Sequence, residues 1–249
     1  MQNICKNFYK HMLSDIIKLL GVFYMWLNRL EKIVDSDTLY KIINKTVLII
    51  GLGGVGGHAL ESIVRMGISN IILVDNDVID VTNLNRQLLS LNSNIGRKKV
   101  DVAKERVLDI NKDCNVITIN KFIDSSNYLE LFSYNIDYII DACDTVSTKI
   151  LLIKECLNRN IKIISCMGTG NKFHPEMLEI TELKKTSYDP LARVIRNKFK
   201  NEKRKIMVVY SKEKGVKISD RTPGSTSLVP SVAGVMCASF VINDIMEVK

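Results

Sequence analysis

Thr46–Gly67 reads TVLIIGLGGVGGHALESIVRMG, and this stretch decides the fold. Thr46–Ile50 (TVLII) is an unbroken β-branched and aliphatic run, the composition of a strand buried on both faces. Gly51, Gly53 and Gly56 follow with G-x-G-x-x-G spacing. Val55, Ala59, Leu60, Ile63 and Val64 then recur at helical intervals, and Gly67 stands where a helix ends in the left-handed conformation. Strand, glycine turn and helix in this order leave free backbone N–H groups at a helix N-terminus, where a phosphate can approach. The next apolar run, Ile71–Val74, ends in Asp75, a carboxylate placed to accept ribose hydroxyls. The motif indicates a nucleotide without saying which one.

Outward from this unit the alternation continues. A polar loop, residues 76–93, leads to a helix over Lys99–Asn111 with Val100, Ala103, Val107 and Ile110 on one face. Val116–Ile119 and Tyr138–Ile140 read as strands, the latter ending in Asp141. Thr148–Arg159 is a helix and Ile161–Ser165 a fifth strand. This rhythm predicts a Rossmann-like, doubly wound α/β fold with a mostly parallel sheet. After Gly168 two further strands, Leu178–Leu183 and Ile206–Tyr210, are expected to extend the sheet as antiparallel strands. A basic helix, Leu191–Lys203, is predicted between them, and a tail helix, Ser231–Ile245, starts at Pro230. Residues 25–249 form one domain by this reading, with a nucleotide-binding core at 46–166 and a C-terminal extension at 167–249.

The composition of the 249 residues is that of an ordered, water-soluble chain: 46% hydrophobic, 25% charged and 6% aromatic. The net charge of +8 is concentrated. Lys184 to Lys217 carries twelve basic and three acidic residues, and the remainder is close to neutral. One basic segment suits either a polyanionic partner or a solvated surface. Cys5, Cys114, Cys143, Cys156, Cys166 and Cys237 form no CxxC pair, which argues against a zinc ribbon and for a reducing, cytoplasmic setting. Ile16–Leu27 is too short to span a bilayer, and Met25 within it is an alternative start that makes residues 1–24 an uncertain extension. Leu228–Met246 is interrupted by Pro230, Asn243 and Asp244 and reads as a core helix.

The loop after Asp75 is unusually rich in polar chemistry: Asp77, Asp80, Asn83, Asn85, Arg86 and Gln87 fall within eleven positions, and Lys99 opens the next helix. Cations beside a phosphate pocket suit charge that builds on a phosphoryl group under attack. In DACDT, Asp141–Thr145, Asp144 is placed at a strand end where it can hold Mg²⁺ across phosphates. Arg193, Arg196, Lys198, Lys200, Lys203, Arg204 and Lys205 are candidates for contact with a nucleic-acid backbone. Phe173, Tyr188 and Phe199 either stack bases or pack in the core. Cys143 and Cys166 read as structural, His58 as helix packing, and His174 has no assigned role.

Four motifs in sequence, GLGGVGG, D-x-D-x(5)-NLNRQ, G-x-x-KVD and DACDT, resemble the ThiF/MoeB adenylating family, which shares its fold with ubiquitin-activating enzymes. The resemblance implies ATP over Gly51, Gly53, Gly54 and Gly56, with Asp75 at the ribose and Asp77 and Gln87 in the same set. It implies Asn83, Arg86 and Lys99 at the phosphates and Asp144 on Mg²⁺, with Arg86, Lys99 and Asp144 the catalytic group. It also implies a homodimer in which an arginine of the partner's N-terminal helix completes the site, with Arg29 the candidate here. MGTGNKFHPEMLEITELKKTSYDPLARVIRNKFK, Met167–Lys200, and VPSVAGVMCASFVINDI, Val229–Ile245, resemble the branch that dehydrates threonylcarbamoyladenosine in the tRNA anticodon loop. In that chemistry a carboxylate is adenylated and a neighbouring group of the same modification closes a ring and expels AMP.

The rival readings share parts of this set. An enzyme that adenylates the C-terminus of a ubiquitin-like or sulfur-carrier protein uses the same ATP residues, but many such relatives carry two CxxC pairs absent here. An NAD-dependent oxidoreductase leaves Arg86, Lys99 and Asp144 without a task, and a non-catalytic tRNA-binding module leaves them redundant. A sulfur-transfer or electron-transfer partner protein stays open.

Overall fold

The apolar runs assemble into one seven-stranded sheet. In the computed structural model, residues 25–219 and 222–248 are described; the N-terminal extension, residues 1–24, lies outside them. In chain order the elements are α1 (Ser36–Ile43), β1 (Thr46–Ile50), α2 (Gly56–Arg65), β2 (Asn70–Val74), α3 (Lys99–Ile110) and β3 (Asn115–Ile119). They continue with β4 (Tyr138–Asp141), α4 (Val146–Arg159), β5 (Lys162–Cys166), β6 (Leu178–Glu182), α5 (Pro190–Lys198), β7 (Met207–Ser211) and α6 (Leu228–Ile245).

The strand order is β3-β2-β1-β4-β5-β7-β6. Chain order reverses between β1 and β4, and an open α/β sheet binds ligands at such a switch. Ile50 is level with both Val74 and Asp141, so the carboxyl ends of β1, β2 and β4 open onto one crevice. Successive residues of β1 point to opposite faces. Val47 and Ile49 join the core beneath α2, α3 and α6, whereas Leu48 and Ile50 join the core beneath α4 and α5.

The structure corrects three expectations. β7 runs parallel to β5, and only the β6–β7 pair is antiparallel. The residues between β5 and β7, which include α5, carry the chain back across the sheet, so β7 enters in the direction of β5. The basic helix ends at Lys198, because Phe199 at its C-cap turns inward onto the α4 side of the core. Lys200, Lys203 and Arg204 therefore lie beyond it. The tail helix begins at Leu228, two residues before Pro230, a position in the first turn where proline costs no helical hydrogen bond.

Helix α6 is long and apolar enough to cross a membrane, but half of it is buried inside the fold. Val229, Ala233, Cys237, Val241 and Ile245 are all buried. Its closest approach is to α2: a Cβ on Gly234 would lie 2.2 Å from the Val55 carbonyl oxygen. Glycine lets the two helix backbones touch there.

Candidate nucleotide and RNA site

The glycine turn is shaped by its neighbours. Gly51 has a φ of +84°, and a Cβ there would meet the Ala142 carbonyl carbon at 2.7 Å. The loops after β1 and β4 can approach this closely only over glycine. A Cβ on Gly56 would lie 1.7 Å from the Gly51 oxygen, so Gly56 closes the turn from behind. Gly53 and Gly54 face a cavity of about 610 Å³ at the strand ends.

This cavity is lined by nearly every residue of the expected ATP set: Gly51, Gly53, Gly54, Asp75, Asp77, Asn83, Arg86, Gln87, Lys99 and Asp144. Arg29 is exposed on the N-terminal segment and is not among the lining residues. Asp75 ties the walls together. Its carboxylate accepts the Leu52 N–H at 2.6 Å and the Asp77 N–H at 2.8 Å. Lys99 is 5% exposed and donates to Asp77 at 2.7 Å. Asp80 and Asn83 form a reciprocal capping box, and the Thr82 hydroxyl and N–H hold the Asp80 carboxyl below the usual range. Arg86 donates from Nη1 to the Thr82 carbonyl and the Asn85 side chain, which leaves Nε and Nη2 without a partner among the described residues. Gln87 is buried beside Ser90.

Asp144 is exposed, and among the described residues its carboxylate accepts a hydrogen bond only from the Thr145 hydroxyl, at 3.4 Å. Among the described residues no cluster of three or more metal-ligating side chains exists. A single unpaired carboxylate in a nucleotide cavity nevertheless fits Mg²⁺, which takes one or two carboxylates and fills its other positions with phosphates and water.

Beneath Asp144 lies a network absent from the sequence reading. Asp141 and Lys149 are fully buried, and their ion pair is 3.0 Å long. Ser165 donates to the other Asp141 oxygen at 2.5 Å, and the Cys143 N–H and thiol also point at Asp141. Burial alone pushes the Lys149 ammonium down, but the Asp141 carboxylate overrides it and holds the lysine above its usual value. Burial and then the same carboxylate push the Cys143 thiol up, so it is a poor nucleophile near neutrality. The signal for this pair was a lysine at the start of an otherwise apolar helical face, following a strand that ends in aspartate.

In the basic segment, Arg193, Lys198, Lys200 and Lys203 are exposed and have no acidic partner among the described residues. Lys205 reaches Glu182 at 3.6 Å. Arg196 is committed to Thr186 at 2.5 and 2.8 Å. Arg204 is held by Glu202 and the Leu157 carbonyl. Phe199 packs in the core, but Phe173 and Tyr188 do not: they are 55% and 73% exposed. His58 hydrogen-bonds the Gly54 carbonyl within α2 and its N-terminal turn, and His174 pairs with Glu176.

A family model described as the ThiF family matches residues 27–247. The chain belongs to the ThiF family. Among its relatives, the tRNA threonylcarbamoyladenosine dehydratase of Bacillus subtilis is 39% identical over 239 residues, covering 88% of this chain and 94% of that one. The Escherichia coli enzyme of the same name is 35% identical, covering 83% and 76%. A crystal structure of the E. coli dehydratase in complex with ATP superposes with a TM-score of 0.82 at 31% identity, over 87% of this chain and 92% of that one. ThiF-type similarity extends to a yeast adenylyltransferase and sulfurtransferase, UBA4 of Vanderwaltozyma polyspora, at 38% identity but over only 53% of this chain. The α/β architecture, with its single antiparallel pair, is that of the dehydratase structures.

Proposed function

We propose that this chain is an ATP-dependent tRNA threonylcarbamoyladenosine dehydratase. The observation that carries the reading is the meeting of Arg86, Lys99 and Asp144, from three separate segments, around one glycine-walled cavity. Similarity to a dehydratase over 88% of this chain, against 53% for UBA4, supports this reading over activation of a carrier protein.

ATP lies over Gly53 and Gly54 with its ribose toward Asp75. The substrate carboxylate attacks the α-phosphorus and pyrophosphate leaves. Arg86 offers Nε and Nη2, which have no partner among the described residues, to the oxygens that gain charge in that step. Lys99 reaches the phosphates by exchanging its contact with the exposed Asp77. Asn83 and Gln87 orient the chain of phosphates, and Asp144 would hold Mg²⁺. When bound, Mg²⁺ neutralises phosphate charge and favours departure of pyrophosphate. A nucleophile within the modification then attacks the acyl carbon and expels AMP, so the net change is loss of one water. Capture within one molecule needs no protein thiol, since effective molarities reach about 10⁵ M or more. The raised Cys143 thiol fits that chemistry.

The tRNA anticodon loop approaches from the basic side, with Arg193, Lys198, Lys200 and Lys203 on phosphates and Arg196 and Arg204 at its margin. The protein works in the cytoplasm as a homodimer. An exposed apolar stripe on α6, formed by Leu228, Val232 and Val235, supplies a face for the second copy. Arg29, exposed and outside its own chain's cavity, serves the partner's.

The test is ATP consumption with Mg²⁺ and tRNA from cells that lack the cyclising enzyme, followed by nucleoside mass spectrometry. AMP release with loss of one water from threonylcarbamoyladenosine is expected. Pyrophosphate exchange that needs a carrier protein and ignores tRNA would overturn the reading.

A further inference from the structure

Two aromatic rings of the C-terminal extension are displayed to solvent. Phe173 is 55% and Tyr188 is 73% exposed. Neither is on a floppy surface. Lys172 and Asp189, their sequence neighbours, form a buried ion pair at 3.1 Å. Lys172 also donates to the Gly168 carbonyl at 2.6 Å, and Asp189 caps α5 through the Ala192 N–H at 2.8 Å. Glu213, 8% exposed, accepts the Phe173 and His174 N–H groups at 2.9–3.1 Å.

Tyr188 itself has a φ of +56°, and the Asp189 N–H closes a three-residue turn onto the Ser187 carbonyl at 2.7 Å. A bulky residue in the left-handed region is a rare and strained choice. Here it persists because both flanks are fixed, and its effect is to hold the ring outward. Burial explains neither ring.

The loop that carries Phe173 reaches the cavity. Thr169 lines the cavity, and Phe173 is four residues further along the same loop. Asn171 binds that loop to Val216 and Gly224, and Ser225, next to Gly224, also lines the cavity. The surrounding charge has one dominant sign. Arg193, Lys214 and Lys217 are exposed without an acidic partner among the described residues, whereas Glu176 is paired with His174, Glu179 with Lys212 and Asp189 with Lys172.

Rigid exposed aromatics, interleaved with free cations, are the chemistry that recognises unpaired nucleobases. We infer that Phe173 and Tyr188 form a stacking platform for unpaired bases of an RNA loop. The bases beside the reacting nucleoside stack there while its carboxylate enters the ATP cavity, and Arg193, Lys214 and Lys217 hold the adjoining phosphates. The inference rests on the dehydratase reading and adds the residues that select a single-stranded loop over a duplex.

The experiment measures binding of unreacted tRNA across a salt series, ATP binding without tRNA, and tRNA-dependent AMP release. The variants are Phe173→Ala, Tyr188→Asn and Tyr188→Trp. Asparagine tolerates the left-handed backbone, so Tyr188→Asn removes the ring and keeps the turn. Phe173→Ala and Tyr188→Asn should each weaken tRNA binding roughly ten-fold, with the salt slope and ATP binding unchanged. Tyr188→Trp should keep affinity, and its fluorescence should be quenched by tRNA. Joint replacement of Lys214 and Lys217 by alanine should instead flatten the salt slope. Ring-deleted variants that bind tRNA like the wild type, in a protein that releases AMP with tRNA, overturn the platform alone. A wild-type protein that neither binds tRNA nor releases AMP with it overturns both readings.

Discussion

Replacing Lys149 with methionine isolates the buried network under the site. Methionine keeps the length and apolar shaft of the side chain and removes the ammonium. The Asp141 carboxylate, 0% exposed, is then left with the Ser165 hydroxyl at 2.5 Å, the Cys143 N–H at 3.3 Å and the Cys143 thiol. Removal of one partner from a buried pair costs about 3–5 kcal/mol, because the remaining charge is uncompensated. In a chain of this size each kcal/mol moves the melting temperature by about 2–4 °C, so the expected fall is roughly 6–20 °C. Calorimetry reads the shift, and urea unfolding reads the same loss with an unchanged slope. Adding Asp141→Asn to Lys149→Met removes the orphaned charge and should recover at least half of the loss. A single variant that melts within 2 °C of the wild type refutes the reasoning. So does a double variant no more stable than the single one.

The remaining expectations concern the chemistry. Arg86→Ala should lower the rate of AMP formation more than it weakens ATP binding, as the proposed action of its Nε and Nη2 on developing charge requires; a change confined to KM would make it a binding residue. Asp144→Ala should abolish Mg²⁺-dependent AMP release while circular dichroism and melting stay unchanged, and undiminished turnover would remove its metal role. Neutralising Arg193, Lys198 and Lys200 together should weaken tRNA binding and reduce the dependence of log K on log salt by about two, at about 0.7–0.9 per phosphate contact; an unaltered slope returns these residues to the solvated surface. Cys143→Ser should keep activity. Site-resolved alkylation should find Cys143 nearly inert at pH 7–8 and faster as pH rises, because only the thiolate reacts and the raised pKa leaves little of it.

The glycine turn and its strand were legible because local composition favours them: TVLII is a short, partly β-branched apolar run bounded by glycine, and Gly51 and Gly56 sit where a side chain would strike backbone. The cavity residues were legible as a pattern, and the fold brings Arg86, Lys99 and Asp144 together from three segments. The direction of β7 was not legible, since it depends on how a long connection crosses the sheet rather than on the residues of the strand. The end of α5 was misread because Lys200 to Lys205 continue a charged pattern while Phe199, a single residue, turns the chain toward the core. The Asp141–Lys149 pair was missed because its partners are eight residues apart across a strand, a loop and a helix, a separation with no periodicity to betray it. Phe173 and Tyr188 were open to two readings, and their exposure of 55% and 73%, which sequence alone does not give, sets aside packing in the core.

Helix α6 has a bearing on the order of synthesis. It seals the β5 side of the sheet, lies against α2 through Gly234, and sets Pro230 within 3.1 Å of where a Cβ on Gly54 would be. These residues are translated after every other element of the fold. The nucleotide turn is therefore translated some 170 residues before the helix that braces it, at about 5–20 residues per second. During that interval α2 shows the nascent chain's surroundings an uncovered apolar flank, and ATP meets a turn without its outer wall. Competence for the first chemical step arrives with helix α6, not when the glycine motif emerges, and a chain cut short before Leu228 is expected to lack it.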